Sequence, residues 1–175
     1  DAKFKNAQLY YYTGEMDLAE SMLDILKRAT SREISNDAID LSVFIKSNSG
    51  LDTSYQAIQM YARGELLTYQ HRYTDALATY DSLLQKFKYH DLTDEVLWKK
   101  TEVFNILQNP EERIVCLKKI EADYAEGTLG DDAVFELAQL YERQGKKDLA
   151  MEYYKKILID FKGSIYLYQS RKAYR

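Results

Sequence analysis

The sequence predicts an all-α protein, an α-solenoid built from antiparallel helix pairs, with about ten helices and no strands. The first observation is an internal repeat, in which three copies of one helix-pair pattern follow each other at a step of 37 residues. Because such a unit cannot bury its apolar face alone, its copies must stack. The second is that apolar residues recur at intervals of three and four, without sustained alternation of period two. The third is that glycine, proline and acidic residues stand where helices would begin and end.

The N-terminal part contains a weaker copy of the pattern. A helix pair is predicted over about residues 2–12 and 16–28, and Gly14 has the conformational freedom that a helix end requires. The 37-residue spacing does not extend to this copy, because the corresponding alanines of the second helices, Ala19 and Ala76, are 57 residues apart. A lone helix at about residues 37–46 occupies the interval. We expect this interruption to disturb the superhelix. After it, Thr53-x-x-Gln56 resembles a capping box that opens a long helix to about Gln70.

The later helix boundaries are marked more clearly. Asn109 is a candidate N-cap, Pro110 suits the first helical position, and Glu111 adds negative charge to the first turn. Asp131 and Asp132 are expected to do the same for the next helix, and Gly145 to end it. We therefore expect a single domain over residues 1–175. Its predicted repeats cover about residues 1–29, 53–88, 93–125 and 130–162. An irregular segment at 30–52 and a terminal helix at 164–175 complete the domain.

The spacing of small and large residues within each pair predicts how the helices pack. In the second helices, Ala76 and Ala150 precede Tyr80 and Tyr154 by four residues. Small residues allow two helices to approach closely, and the large rings fill the space beside them. Arg113 replaces the alanine in the middle copy, so we expect that pair to open or the guanidinium to extend to water.

The composition argues against several functional classes. The formal net charge is −4, with 28 acidic and 24 basic residues, whereas a nucleic-acid binder needs a basic surface. No apolar run approaches the ~18 residues of a membrane span. We therefore expect no nucleic-acid partner and no direct membrane insertion by this segment.

Few residues are candidates for catalysis or metal binding, and each has a structural explanation. His71 and His90 lie at predicted turns without metal-ligand spacing, so we interpret both as solvated. Cys116 lies among apolar residues, which favours buried packing over a reactive thiol. Paired acids such as Asp131 and Asp132 open helices. The sequence therefore predicts no catalytic residue, no metal and no cofactor, and the protein is not expected to be an enzyme.

The repeated positions resemble the tetratricopeptide repeat (TPR), most closely where Leu137-Ala138 precedes Tyr141 and Ala150 precedes Tyr154. The copies lack the family's terminal proline. The resemblance implies a right-handed superhelix and a protein-interaction scaffold. The chain is also similar to the C-terminal part of Bacteroidetes TPR proteins and to bacterial cell-envelope TPR lipoproteins. This implies a fragment of a longer bacterial protein, in the periplasm or at the outer membrane, although the sequence does not determine the compartment.

The resemblance also implies which residues face a concave, partner-binding groove. They are an aromatic residue on each first helix and the residues four and seven positions later. These residues are Phe4, Gln8, Tyr11, Tyr61, Glu65, Thr68, Trp98, Glu102, Asn105, Phe135, Gln139 and Glu142. Such a surface could grip an extended peptide through its rings, with carboxylates favouring basic partners. The alternative is that the rings pack against neighbouring helices and never meet a ligand.

Three functions remain open from the sequence. The leading hypothesis is a non-enzymatic scaffold that binds a protein or peptide partner through the groove. The second is a cell-surface carbohydrate-binding protein, because aromatic ladders also stack on sugar rings. The third is a structural spacer without a groove ligand, and the chain could also form a homo-oligomer.

Overall fold

The chain is all α-helical in a computed structural model that describes residues 2–29, 32–49 and 55–174. The described residues form ten helices and no strand. The helices are α1 Ala2–Thr13, α2 Met16–Ala29, α3 Arg32–Asn48, α4 Gln56–Tyr69, α5 Tyr73–Lys86, α6 Thr93–Ile106, α7 Pro110–Asp123, α8 Gly130–Arg143, α9 Lys147–Asp160 and α10 Leu167–Tyr174. The predicted all-α fold is confirmed.

The residues pack as two compact units, Asp1–Thr93 and Asp94–Arg175. We call them unit 1 and unit 2. Unit 1 holds α1 to α5, and unit 2 holds α6 from its second residue onward to α10. The expectation of a single solenoid domain stays a prediction.

In unit 1, the first repeat packs directly on the next one although α3 lies between them in sequence. Helix α1 contacts α2 and α4, α2 contacts α3, and α4 contacts α5. The side-chain amide of Gln59 on α4 donates to the carbonyl oxygen of Gly14 at 2.9 Å, which joins α4 to the turn after α1. The lone helix α3 is longer than the predicted residues 37–46, and it is accommodated at the side of α2 without separating the two helix pairs.

The core of unit 1 follows the predicted pattern of small and large residues. Ala19, Ala57, Ala62 and Ala76 are buried at helix contacts. Gly64 on α4 lies against the ring of Tyr80 on α5, and a Cβ atom at Gly64 would be only 2.3 Å from Tyr80 Cε1. The close approach of α4 and α5 therefore requires glycine here.

In unit 2, α7 packs against α8, α8 against α9, and α9 against α10. Helix α8 is buried along most of its length because it packs against both α7 and α9. Its buried residues are Gly130, Ala133, Val134, Phe135, Leu137, Ala138, Leu140 and Tyr141. Unit 2 is therefore organised around α8.

The turns inside the four helix pairs share one geometry, in which a residue in the left-handed region ends the first helix. After α8, the Gly145 amide donates to Glu142 and the Lys146 amide to Tyr141, each at 2.9 Å. This is the Schellman pattern, which satisfies the last free carbonyl groups of a helix. The left-handed residues are Gly14, His71, Gln108 and Gly145. The last three are 37 residues apart, so the turn repeats with the sequence.

The predicted helix starts agree with the structure in one case and differ in another. Asn109 caps α7, since its side chain accepts from the Glu112 amide at 3.3 Å, and Pro110 is the first helical residue. Asp131 and Asp132, in contrast, lie inside the first turn of α8, whose N-cap is Leu129 without a side-chain cap. They supply negative charge near the helix N-terminus but not the cap. The predicted capping residue Thr53 lies outside the described residues.

Candidate functional site

The groove residues predicted for unit 1 lie on α1 and α4, which pack together. Two of them are in direct contact, because the hydroxyl of Tyr11 donates to Glu65 Oε2 at 2.8 Å. Tyr11 is only 2% exposed. Burial, reinforced by the negative charge of Glu65, raises the pKa of the Tyr11 phenol well above its usual range. Phe4, Gln8 and Thr68 are half-buried, so this face is only partly open to solvent.

The ring of Tyr61 belongs to the packed interior of unit 1. It is 4% exposed. Its centroid lies 5.1 Å from that of Phe44 on α3 and 6.3 Å from that of Tyr80 on α5. For this ring the structure shows the packing alternative, in which an aromatic side chain fills the space between helices.

Phe135 is packed in the same way in unit 2. It is 7% exposed and stacks on Tyr166, with ring centroids 4.1 Å apart and an interplanar angle of 10°. The hydroxyl of Tyr166 donates to Asp132, and this hydrogen bond is the main reason that the pKa of Tyr166 is raised. The segment after α9 therefore covers Phe135. Trp98 differs from both rings because it stays half-buried on α6.

The polar residues predicted for the groove stay accessible in unit 2. Glu102, Asn105 and Glu142 are exposed, and Gln139 is half-buried. We call Trp98 and these four residues, which the repeat pattern predicts to share one surface, the unit-2 face. The face offers carboxylate and amide groups, which are the donors and acceptors that a peptide backbone can use.

Each of these polar side chains also has a partner within unit 2. Lys99 pairs with Glu102 at 3.2 Å, and the Tyr154 hydroxyl donates to Glu142 at 2.7 Å. Arg113 donates to the side-chain oxygen of Asn105 at 2.9 Å. Because the carboxylates are engaged, their preference for a basic partner is weaker than the sequence suggested.

Arg113 corrects the expectation that a guanidinium at the small-residue position would extend to water. Its side chain is only 11% exposed, and its Nη2 donates to Glu136 Oε2 at 2.6 Å while Nη1 binds Asn105. Arg143 approaches the same Glu136 oxygen at 3.9 Å and donates to Gln139. A carboxylate on the neighbouring helix makes burial of the guanidinium favourable.

The sequence interpretation therefore missed Arg113, Glu136 and Arg143 as members of a connected polar cluster. The available signal was the departure from the repeat pattern, because a long cation stands where the other copies have alanine. A buried cation needs an acid nearby, but the spacing along the sequence does not show which of many acids is close.

The residues considered for chemistry have structural roles. His71 occupies the left-handed position after α4, and its ring contacts the Tyr73 hydroxyl at 2.8 Å. His90 is half-buried, not solvated as expected, because its Nδ1 accepts from the Leu92 amide at 3.1 Å. Cys116 is buried, as predicted. Within the residues described, no group of three or more His, Cys, Asp or Glu could hold a metal ion.

None of the helices that the structure describes is long and apolar enough to span a bilayer.

Comparison with solved structures supports the fold. The chain is similar to the crystal structure of the P58(IPK) TPR domain, with a TM-score of 0.51 and 18% sequence identity. The alignment covers 98% of this chain and 44% of that one, so the chain spans less than half of its length. No protein-family model and no curated protein matches the sequence. The chain therefore has a TPR-like helical-repeat fold.

Proposed function

We propose that this chain is a non-enzymatic scaffold that binds an extended segment of another protein, with the unit-2 face as its main contact surface. The observation that carries the proposal is the exposure of Glu102, Asn105 and Glu142 on α6 and α8 of a TPR-like fold, with the half-buried Trp98 one turn before Glu102 on α6. A half-buried tryptophan can lose its remaining exposed area to a partner, and such residues supply much of the binding energy in interfaces.

The packing behind the face supports this role. Arg113 links α6 to α8 through Asn105 and Glu136, and Phe135 is held by Tyr166. Side chains held in one conformation lose less entropy on binding, so a peptide would meet a surface that is already ordered.

The burial of the predicted groove rings Tyr61 and Phe135 argues against the carbohydrate-binding alternative. Stacking on a sugar needs an open ring face, and Tyr61 and Phe135 are only 4% and 7% exposed. Trp98, on the corresponding first helix, is half-buried. We therefore favour a peptide ligand, which can use the exposed carboxylate and amide groups.

Position-specific cross-linking tests the proposal. A photoreactive residue is placed at Glu102 or Glu142 on the unit-2 face, and at Glu152 on α9 as a matched exposed control. In cells that produce the protein, we expect adducts with one partner from positions 102 and 142, and none with that partner from position 152.

Other outcomes separate the alternatives. Adducts only from position 152 would move the binding surface to α9, and no adducts from any position would support a spacer. An adduct with a second copy of this chain would identify a homo-oligomer. Each of these results contradicts the assignment of a partner to the unit-2 face.

We further propose, from the sequence resemblance alone, that the protein works in the bacterial cell envelope. Fractionation of cells that express the native gene tests this location. Recovery with periplasmic or outer-membrane fractions supports it, and recovery with cytoplasmic proteins contradicts it.

A further inference from the structure

An open pocket of about 390 Å³ lies between α4 and α5 in unit 1. All of its lining residues stand on α4, on α5 or directly before α5. They are Met60, Arg63, Leu67, Arg72, Asp75, Ala78, Thr79 and Ser82. Arg63, Ala78 and Ser82 are exposed, so an occupant of the pocket can reach their side chains. The volume is within the range of roughly 300–1,000 Å³ that is usual for binding pockets.

The corresponding surface of unit 2 is covered by helix α7. Each pocket residue has a counterpart in unit 2, two steps of 37 residues later in the chain. The counterparts of Leu67, Thr79 and Ser82 are Tyr141, Tyr153 and Lys156. All three contact α7. Lys118 of α7 lies 5.9 Å from the centroid of the Tyr141 ring. Glu121 of α7 accepts from Tyr153 at 3.3 Å and from Lys156 at 2.5 Å.

The pocket is open because the helix that would cover it packs elsewhere in unit 1. Helix α2 is the second helix of the pair before α4, as α7 is of the pair before α8, but it packs against α1 and α3. The exposure of equivalent residues shows the consequence. Leu137 on α8 is fully buried, whereas its counterpart Arg63 on α4 is exposed. The insertion that contains α3 thus leaves vacant a position that a helix occupies in unit 2.

Arg63 determines the charge of this pocket. The other cation, Arg72, is balanced by Asp75, whose carboxylate lies 2.7 Å from its guanidinium group. Arg63 forms no ion pair with the residues that the structure describes. An exposed cation without an acidic partner favours an occupant with a negative charge at this point.

We propose that the pocket is a docking site for an amphipathic helix of another protein, which takes the place that α7 has in unit 2. The apolar face of this helix contacts Met60 and Ala78, and an acidic side chain pairs with Arg63. An amphipathic helix that lies in a groove is a common mode of recognition. The pocket shares no residue with the unit-2 face, so the inference goes beyond the proposed function and does not depend on it.

The sequence of α7 supplies a probe for this site. A peptide with the sequence of Pro110–Asp123 is held helical by a side-chain bridge between positions 115 and 119, which are exposed in the protein. The bridge is needed because an isolated helix of this length is marginally stable. In the register of α7, position 118 lies beside Leu67, one helical turn from Arg63. The test peptide carries Lys118→Glu, and the peptide with lysine is its matched control.

The methyl group of Met60 reports binding. The chain has four methionines, so methyl labelling of methionine in the full chain gives few NMR signals. We expect the Met60 signal to shift saturably with the Lys118→Glu peptide, with a dissociation constant on the order of 10–100 μM. The control peptide should bind at least about threefold more weakly, because its lysine approaches Arg63. The signal of Met151 in unit 2 should not shift.

A variant of the protein tests the role of Arg63. Arg63→Gln removes the charge and keeps a long polar side chain, so both peptides should bind this variant equally. Arg171→Gln, at an exposed arginine on α10, is the matched control and should preserve the preference for the acidic peptide.

Four results would overturn the inference. Three are the absence of a saturable Met60 shift, equal binding of both peptides by the unchanged protein, and an undiminished preference in Arg63→Gln. The fourth is a Met60 signal that shifts with protein concentration in the absence of peptide, together with a dimer in light scattering. That result would assign the pocket to a second copy of this chain.

Discussion

The hydroxyl of Tyr11 on α1 donates to the Glu65 carboxylate on α4 at 2.8 Å, across 54 residues of sequence. This contact joins the first helices of two successive helix pairs, although the 17-residue helix α3 lies between them in the chain. Stacking of one repeat on the next therefore continues within unit 1 through an insertion that breaks the sequence period.

The Tyr11 contact predicts a loss of stability at alkaline pH. The raised pKa of Tyr11 means that, above the usual tyrosine pKa of about 10, the folded chain keeps a proton that the unfolded chain has lost. The free energy of unfolding should therefore fall as pH rises above about 10, by up to about 1.4 kcal/mol per pH unit from this group. Denaturant unfolding of Tyr11→Phe between pH 9 and pH 11 should show a correspondingly shallower fall.

Tyr69→Phe is the control for this experiment, because Tyr69 is 80% exposed. It should follow the pH dependence of the unchanged protein. If Tyr11→Phe also follows it, Tyr11 does not hold its proton in the folded state, and the contact with Glu65 is not maintained in solution.

The second prediction concerns the turn after α8. Gly145 has φ of 73°, and a Cβ atom added there would meet no atom within 4 Å. Gly145→Ala should therefore lower the free energy of unfolding by about 1 kcal/mol through backbone strain alone. Gly163→Ala also has open space but no left-handed backbone, so it should be neutral or slightly stabilising. Equal effects of the two changes in thermal or denaturant unfolding would contradict the assigned turn geometry.

The repeated turn shows what could be predicted from the sequence and what could not. Gly14 and Gly145 marked helix ends correctly because glycine is the residue that adopts positive φ most easily. His71 and Gln108 take the same left-handed conformation although neither is glycine, and only their places 74 and 37 residues before Gly145 in the repeat indicate it. Repeat register and helix number follow from local periodicity, whereas the division between unit 1 and unit 2 depends on which helices pack together.

The candidate site could likewise be predicted only in part from the sequence. Glu102 and Glu142 are exposed and Trp98 is half-buried, so these residues remain available for a groove whose existence stays a prediction. The burial of Phe135 was one of two alternatives, and the repeat pattern could not decide between them, because the ring that stacks on Phe135 is Tyr166 in the connection between α9 and α10. The Arg113–Glu136 pair likewise depends on a cross-helix distance.

The third prediction tests the close approach of α4 and α5. Gly64→Ala should lower the free energy of unfolding by about 1–2 kcal/mol, because overlap with the Tyr80 ring outweighs the better helix propensity of alanine. In a Tyr80→Leu background the ring is gone, and the same change should become neutral or stabilising by up to about 1 kcal/mol. A double-mutant cycle by denaturant unfolding measures this difference. Identical effects in both backgrounds would show that the ring does not contact Gly64.

The fourth prediction concerns the pair between Arg113 and Glu136. Arg113→Ala restores the small residue of the repeat pattern, yet it should destabilise unit 2 by about 2 kcal/mol, because Glu136 loses its nearest cation in a partly buried site and keeps only Arg143 at 3.9 Å. Arg113→Ala combined with Glu136→Gln should recover part of this loss. Arg72→Ala, which breaks an exposed pair with Asp75, should cost under about 0.5 kcal/mol. A stabilising effect of Arg113→Ala alone would show that packing dominates over the ion pair.

The most direct test of the proposed function is the affinity of the cross-linked partner for charge-reversed proteins. Glu102→Lys with Glu142→Lys reverses two charges of the unit-2 face, and Glu152→Lys is the control on α9. Because Glu142 accepts from the buried Tyr154, the free energy of unfolding of the double variant is measured alongside its affinity. Measured by the change in Trp98 fluorescence, the partner should bind the double variant at least about tenfold more weakly, and the control variant with unchanged affinity. Unchanged affinity of the double variant, with its circular dichroism spectrum intact, would contradict the assignment of the partner to the unit-2 face.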